Sequence, residues 1–411
     1  LKEFGEKYYE KIIYISFKQD YKNNNDEKVS DIKEIITKKE NVNIIEDIKK
    51  ILKIKEESNV EYLIILDDIE NSENAVNNLK YLFSRNKQID IIASTSKYGI
   101  SLPESIKFPN NKVKYINLKP LNFREFLLAT EDIDLKKLTI QEKRAEIENN
   151  NSKYLNSLKK YIYIGGMPEI VHEFCTNKNY INIRKMQKNV IKIYENEIDK
   201  SPITIKESIK KVWNRIPQRN SLENETWGYS DIRDGARPTE FEIAIKYLED
   251  LGYIYIINKI SRAEFPLMVY QDTSIFKLYY IDIGLLSAKM DLDLSIILEK
   301  NDIFKIFKEN LSEQYIMQEL KSKIDNSIYC WKSDNLLNFV NFIFQYDGKI
   351  YAIKKIIEST KNDLSLKLLH QTNDINNCIN ITLNKYKYEG WYKDIPIYLI
   401  GDIDFIKYKK I

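Results

Sequence analysis

Residues 61–70 read E-Y-L-I-I-L-D-D-I-E, an apolar run that ends on two adjacent aspartates. A short continuous run of large aliphatic residues is typical of a strand that is buried on both faces of a parallel sheet. At the end of such a strand, one carboxylate can hold Mg²⁺ through water while a second acid orients an attacking water molecule. The run therefore predicts a buried strand that presents Asp67 to a metal ion and Asp68 to water.

The segments around this run alternate between two kinds of pattern. Strand-like residues occur at 11–17, 89–93 and 113–118, and apolar residues recur at helical spacing over 30–57 and 72–85. Strands that alternate with helices are typical of a parallel sheet with helices on its faces. We therefore expect an α/β fold in this part of the chain.

A second polar group follows the strand predicted at 89–93. Ser94, Thr95 and Ser96 carry hydroxyls that would lie near a γ-phosphate and the attacking water. The other interpretation is that both strand ends are polar without holding a ligand. A phosphate-binding loop of the form G-x-x-x-x-G-K-[ST] would support the nucleotide site, since its backbone N–H groups wrap the phosphates. None of the eleven glycines in the 411 residues fits that loop.

Composition limits the other classes of function. The net charge of +3 is small, so bulk electrostatics does not argue for a nucleic-acid partner. The three cysteines lack metal-ligand spacing, and two histidines argue against a histidine-based triad or metal site. The apolar runs are far too short for a membrane helix, and the N-terminus has no signal-peptide pattern. We therefore expect a cytoplasmic protein that does not enter a membrane.

Ten short motifs occur along the chain in a fixed order. They are LKEFG…IIYISF (1–17), LIILDDIE (63–70), IIASTS (91–96), LKPLNFREFL (118–127), YIGGMPE (163–169), IYENEI (193–198), NRIPQ (214–218), YLEDLGYI (247–254), PLMVY (266–270) and FKLYYIDIGLL (276–286). In this order the chain resembles the prokaryotic AAA-superfamily ATPases that carry a C-terminal nuclease-like domain of unknown function.

The resemblance implies ATP and Mg²⁺ as ligands and assigns four residues. Asp67 would hold Mg²⁺, Thr95 would sense the γ-phosphate, and Lys112 would contact the nucleotide where the family carries Arg. Asp68 stands at the position of the family's water-orienting Glu. Its carboxylate is one methylene shorter, and a misplacement of about 1 Å can cost about 10²-fold in rate. The hydrolysis that these residues support is therefore expected to be slow.

The same resemblance bears on the missing phosphate loop. In that family a strand, the loop and a helix precede a segment like residues 1–5, and the chain does not begin with Met. We therefore expect an ATPase in a longer form of the protein, and no measurable ATP affinity in the 411 residues alone.

The middle of the chain suggests two further domains. The pattern is mostly helical from residue 123 to about residue 200 and is broken at 165–168. Residues 131–203 are expected to form a helical lid or linker. Residues 204–290 contain short helices, a helix at 239–251 and strand-like runs at 253–260 and 265–270, which favours a winged helix. Its recognition-helix region, 237–251, carries four acids against Arg237 and Lys246. That charge favours protein contact over DNA.

Residues 300–411 read as an α+β domain, with a helix near 306–323 and strands at 328–331, 338–345, 349–356 and 395–400. The domain resembles the restriction-endonuclease-like fold. Asn341 stands where that fold has a metal-binding Asp, and Lys354 stands where it has a Glu. Only Glu313, on the preceding helix, remains of the acids. The domain is therefore expected to be nuclease-like but inactive.

Together these observations predict an α/β protein in four parts. They are a truncated AAA-type parallel-sheet core (1–130), a helical lid (131–203), a winged helix (204–290) and a nuclease-like α+β domain (300–411). The predicted function is ATP binding, with ATPase activity in the longer form. The alternative is a non-catalytic module that binds protein or DNA. A protein partner and a homo-oligomer are both compatible with the sequence.

Overall fold

A computed structural model gives the structure of the chain. It describes residues 1–18, 27–39, 41–54, 60–82, 88–96, 114–134, 140–219, 226–295, 311–333, 338–355, 364–384 and 386–402. The chain divides into two compact units. Unit 1 consists of Leu1–Asn117 with Asp250–Gly252, and unit 2 consists of Leu118–Glu249 with Tyr253–Ile411.

Unit 1 contains a three-stranded parallel sheet in the order β1-β2-β3. The strands are β1 (Lys11–Ser16), β2 (Tyr62–Asp67) and β3 (Ile89–Ala93). Every residue of β2 except Asp67 is buried, because the strand lies in the middle of the sheet. The predicted buried strand and parallel sheet are confirmed.

Four helices accompany this sheet in unit 1. They are α1 (Lys2–Tyr8), α2 (Glu27–Thr37), α3 (Ile44–Leu52) and α4 (Glu73–Leu82). Apolar residues of α2, α3 and α4 form one core with Ile15 and Leu66 of the sheet. Each fully buried aliphatic side chain contributes about 1.5–3 kcal/mol. The buried Asn78 amide of α4 donates to the backbone oxygens of Ile36 and Lys38, which satisfies the end of α2.

The strand predicted at 113–118 is wrong in its described part. Residues 114–118 have no regular secondary structure, and their side chains are exposed. An extended segment becomes a strand only where its backbone N–H and C=O groups pair with a neighbouring strand. None of the strands in the described residues pairs with this segment. Its alternation of apolar residues therefore does not indicate burial.

The first part of unit 2 is helical, as the sequence predicts. Its helices are α5 (Phe123–Glu131), α6 (Ile140–Ile164), α7 (Pro168–Asn177), α8 (Tyr180–Asp199) and α9 (Ile203–Arg219). The predicted break between α6 and α7 has a steric cause. A Cβ on Gly166 would lie 2.0 Å from the Leu121 oxygen, and Gly165 has a φ of +79°.

The remainder of unit 2 is built on an eight-stranded mixed sheet. Its helices are α10 (Pro238–Asp250), α11 (Ile283–Lys289), α12 (Ser312–Lys321) and α13 (Leu364–Asn373). Its strands are β4 (Ile254–Ile260), β5 (Gln271–Tyr280), β6 (Ile328–Lys332), β7 (Phe339–Tyr346), β8 (Lys349–Lys355), β9 (Cys378–Thr382), β10 (Lys387–Glu389) and β11 (Tyr392–Pro396). The strand order is β10-β11-β9-β8-β7-β6-β4-β5.

This sheet joins strands from two of the predicted regions. β4 and β5 form the predicted antiparallel hairpin, but β4 also pairs in parallel with β6. The second hairpin strand was expected at 265–270, and that position is wrong. Leu267–Tyr270 is a 3₁₀ turn and the strand follows it. Pro266, which directly precedes the turn, has no N–H to donate to a neighbouring strand. Met268 and Val269 of the turn are exposed.

The prediction for the C-terminal strands is confirmed in β6, β7 and β8. The strand expected at 395–400 is displaced, because β11 ends at Pro396 and Ile397–Leu399 forms a 3₁₀ turn. Part of the helix expected near 306–323 is present as α12, and residues 301–310 lie outside the described part of the chain.

Candidate functional site

Asp67 is the last residue of β2, at the carboxyl end of the parallel sheet. Its Oδ2 accepts a hydrogen bond from the Tyr14 hydroxyl of β1, and its Oδ1 accepts one from Ser94 Oγ, just after β3. Strand register explains both contacts, since Ser16 lies opposite Asp67, and Leu66 lies opposite Ala93. The two neighbouring strands thus hold the Asp67 carboxylate in one orientation.

Asp68 begins the turn that follows β2. Its backbone has a φ of +54°, a left-handed conformation that is uncommon outside glycine. Its N–H donates to Ser94 Oγ at 3.2 Å, so one serine contacts both aspartates. Burial, and then the charges of Asp67 and Glu70, raise the pKa of Asp68 above its usual value. A cation placed among these acids would lower that pKa and relieve their repulsion.

Glu70 is a third acid at this sheet edge, and the sequence reasoning missed it. The side chain is buried, with 8 % of its surface exposed. Its Oε1 accepts hydrogen bonds from the Ser96 N–H at 3.0 Å and from Ser96 Oγ at 2.7 Å. Its Oε2 is buried and has no hydrogen-bond partner among the residues that the structure describes. Glu70 therefore ties the turn after β2 to the segment after β3.

The structure brings together some of the predicted site residues. Asp67 and Asp68 lie beside the segment that contains Thr95. Thr95 itself is exposed, and its neighbours Ser94 and Ser96 make the contacts to the acids. Lys112 lies outside the described residues. Ser94 belongs to the polar group predicted after β3, whereas the contact of Tyr14 with Asp67 could have been found from the sequence only with the register of the strands.

A surface cavity of about 420 Å³ opens beside Asp67. Its lining consists of Leu1, Lys2, Glu3, Tyr14 and Asp67. The Lys2 ammonium lies 3.9 Å from the centre of the Tyr14 ring, a cation–π contact. The cavity thus gives a ligand access to the Asp67 carboxylate and places a positive charge at its wall.

The residues fit the protein side of a magnesium site. Within the described parts of the chain, no group of three or more His, Cys, Asp or Glu residues could hold a metal ion. Mg²⁺ commonly takes only one or two carboxylates from a protein and keeps water or phosphate oxygens as its other ligands. Asp67, fixed by Tyr14 and Ser94, is the residue that would supply such a carboxylate.

Unit 2 contains a different carboxylate, at the position of the predicted nuclease-like site. Glu313 lies in the first turn of α12 and has 13 % of its side chain exposed. Its Oε2 accepts from Lys277 Nζ at 2.6 Å and from the Tyr279 hydroxyl at 3.1 Å, both on β5. Its Oε1 accepts from Asn341 Nδ2 at 2.7 Å. We refer to Glu313, Lys277, Tyr279 and Asn341 as the Glu313 centre.

The charges around the Glu313 centre are balanced inside the protein. Burial alone raises the pKa of Glu313, but the nearby charges of Lys277 and Lys355 bring it below its usual value. Lys355, not Lys354, acts on the centre, because successive residues of a strand point to opposite faces. Lys354 donates instead to Ser365 of α13 at 2.9 Å. The carboxylate therefore stays ionised without an external cation.

Comparison with protein families identifies the first part of the chain. Residues 1–127 match the family model of an AAA domain. The match supports an AAA-type, P-loop NTPase-like domain in this region, which we call the AAA-type domain. The AAA-type domain contains the strand that ends in Asp67 and the motif at 118–127. Its family indicates nucleotide binding.

The other comparisons add little about function. Residues 155–295 match a domain of unknown function, DUF8612. Neither the curated proteins nor the solved structures give a significant match. Among the helices of the described residues, none has the length and apolar character needed to cross a membrane.

Proposed function

We propose that the carboxyl end of the parallel sheet in the AAA-type domain is the metal-binding half of a site for ATP and Mg²⁺. The observation that carries the proposal is the Asp67 carboxylate, which two neighbouring strands orient toward an accessible cavity. The raised pKa of Asp68 supports it, since crowded acids at a sheet edge favour a cation. A bound Mg²⁺ would neutralise charge on the phosphates.

The resemblance to the AAA-superfamily ATPases suggests roles for the other residues. Asp68 is the acid that orients water for hydrolysis, and Thr95 is the residue that senses the γ-phosphate. Ser94 is a positioning residue, because it contacts Asp67 and the backbone of Asp68. Lys112 is proposed to contact the nucleotide. The chain has no phosphate-binding loop in its sequence, so its own affinity for ATP is expected to be too low to measure.

The metal half of the proposal can be tested without nucleotide. Mn²⁺ serves as a paramagnetic probe for Mg²⁺, and electron paramagnetic resonance measures the unbound ion. We expect weak binding that becomes at least about tenfold weaker in Asp67→Asn. Ser94→Ala should weaken Mn²⁺ binding less, because Ser94 only orients the Asp67 carboxylate that binds the metal. Added ATP should not tighten Mn²⁺ binding by this chain.

Asp90→Asn is the matched control. Asp90 is an exposed aspartate of β3 whose Oδ2 accepts from the Tyr9 hydroxyl, and it lies opposite Leu63, away from Asp67. Its replacement should leave Mn²⁺ binding unchanged. Equal Mn²⁺ affinity in Asp67→Asn and the wild type would contradict the metal assignment. Tight ATP binding that does not depend on Asp67 would contradict the proposed site.

For unit 2 we propose a non-catalytic interaction module with a winged-helix part and a nuclease-like part. The supporting observation is the Glu313 centre, where Lys277 and Asn341 surround the one remaining acid. The hairpin of β4 and β5 after α10 agrees with a winged helix, and Trp227 pairs with Phe276 of that hairpin. We expect no Mg²⁺-dependent cleavage of plasmid DNA. Cleavage that disappears in Glu313→Gln would overturn this proposal.

A further inference from the structure

Charge in unit 2 is distributed unevenly between two neighbouring parts of the sequence. Residues 178–219, which include α8 and α9, contain eleven Lys and Arg against four Asp and Glu. Residues 228–250, which include α10, contain three Lys and Arg against six Asp and Glu. The whole chain carries only +3, so its positive charge is concentrated on α8 and α9.

Helical spacing arranges part of this charge in a line. Lys185, Lys188 and Lys192 are exposed and follow one another at intervals of three and four residues, so they share one side of α8. Asp199 falls on the same side at the end of the helix, and its Oδ1 lies 2.6 Å from Lys210 Nζ of α9. This contact continues the line onto α9.

Lys206 lies one turn before Lys210 on α9, and its charge also acts on Asp199. We call Lys185, Lys188, Lys192, Lys206 and Lys210 the lysine stripe. From residue 185 to residue 199 the helix rises about 21 Å, at about 1.5 Å per residue. The stripe is thus long enough to face several consecutive phosphates of a nucleic-acid duplex.

The ammonium groups of the stripe are available to an external anion. Among the described residues, Lys185, Lys192 and Lys206 have no ion-pair partner. Lys188 and Lys210 pair with Asp291 and Asp199, whose side chains are 75 % and 53 % exposed. Exposed pairs of this kind contribute only about 0.2–1 kcal/mol, so a phosphate can replace the carboxylate.

The opposite side of α8 is already packed within unit 2. Ile183, Gln187, Ile191 and Ile198 are buried there. A helix that lies in a membrane surface must bury its apolar face among the lipids. Most of the apolar face of α8 is occupied by the protein itself, and its exposed apolar residues, Ile181 and Ile193, lie about three turns apart and form no continuous apolar face. That arrangement fits a charged polymer better than a bilayer.

We propose that the lysine stripe of α8 and α9 binds the phosphate backbone of double-stranded DNA without reading its sequence. B-DNA carries one charge per about 1.7 Å of its axis, so the stripe spans about six base pairs. The acidic α10 does not take part, in contrast to the usual role of a winged-helix recognition helix. The proposal is independent of the nucleotide site of the AAA-type domain.

Salt dependence of DNA binding by the full chain tests the proposal. The probe is a fluorescein-labelled 24-base-pair duplex, and anisotropy gives Kd at 50–200 mM KCl. Five phosphate contacts predict a log–log slope of roughly −4.5, so affinity falls roughly 500-fold over this range. In Lys185→Glu/Lys192→Glu/Lys206→Glu two contacts remain, and the slope should be roughly −1.8, a fall of roughly 12-fold.

The control variant changes the same amount of charge away from the stripe. Lys246, Lys349 and Lys367 are exposed residues of α10, β8 and α13. Lys246→Glu/Lys349→Glu/Lys367→Glu should keep the wild-type slope. If this variant lowered the salt slope as much as the stripe variant does, only the net charge would matter, and the proposal would be overturned. Absence of duplex binding by the wild type, or stripe-dependent binding to phosphatidylserine vesicles without duplex binding, would overturn it as well.

Discussion

The AAA-type domain and unit 2 each contain a carboxylate site, and the two sites neutralise their charge differently. Asp67 and Glu70 accept hydrogen bonds from neutral hydroxyls and from a backbone N–H group, and Asp68 lies beside them. Glu313 has an ammonium group, Lys277 Nζ, at 2.6 Å. The first site has excess negative charge, and the second has a cation from the protein itself.

This difference separates a site suited to a ligand from a structural one. Burial, and then the charges of Asp67 and Glu70, raise the pKa of Asp68, and a bound cation would relieve this unfavourable arrangement, which is typical of functional sites. A buried ion pair does not need an external cation. The protein loses stability, however, when one partner of the pair is removed. Replacing an acid of the first site should therefore affect binding, and breaking the second site should affect folding.

The largest effect is expected for Lys277→Met. The change removes the ammonium group that is hydrogen-bonded to the buried Glu313 carboxylate and leaves only the charge of Lys355 nearby. Loss of one partner of a buried pair costs about 3–5 kcal/mol. Urea denaturation measures the free energy of unfolding. The double variant Lys277→Met/Glu313→Gln should recover most of the loss, since no charge remains unpaired. A single variant as stable as the wild type would show that the pair is not the basis of the Glu313 centre.

Glu319, on the same helix as Glu313, extends the comparison to a buried acid that forms no ion pair among the described residues. Its Oε1 accepts from the Phe123 N–H at 2.8 Å, at the start of α5. Burial raises its pKa to about 8. Between pH 4.5 and about 8 the unfolded chain loses this proton and the folded chain keeps it, so stability falls as pH rises.

Glu319→Gln should remove that pH dependence, because the amide keeps the hydrogen-bond acceptor and cannot ionise. At pH 8 the variant should be more stable than the wild type by a few kcal/mol, on the order expected for such a shift. At pH 4.5 the two should be equal. Denaturation midpoints over this pH range provide the measurement. The raised pKa of Glu319 would be contradicted if the stability of the wild type rose between pH 4.5 and 8 as steeply as that of the variant.

The smallest effect is expected at the acidic group of the AAA-type domain. Asp68→Asn removes a charge that Asp67 and Glu70 repel, and its amide can stay in the same solvent-accessible turn. The free energy of unfolding should change by less than about 0.5 kcal/mol, or rise slightly. Thermal unfolding of the two proteins is sufficient to test this. A loss of several kcal/mol would mean that Asp68 is structural, as Glu313 is.

The pattern of apolar residues along the sequence predicted those helices and strands whose buried residues lie close together in the sequence. The apolar run before Asp67 predicted β2, and helical spacing predicted the helices between residues 123 and 200. The same kind of pattern failed at 265–270 and at 113–118. Both segments are rich in apolar and aromatic residues like those of a strand, but strand formation needs a partner, which lies elsewhere in the sequence.

The sequence by itself determined that Asp67 and Asp68 end a buried strand, because the run of aliphatic residues before them cannot remain in water. Tertiary structure alone decided which groups hold these acids. Tyr14 and Ser94 reach Asp67 through the register of three strands. Lys277 and Glu313 meet across 36 residues of sequence. Such contacts depend on how separate elements pack, and no local periodicity reports that packing.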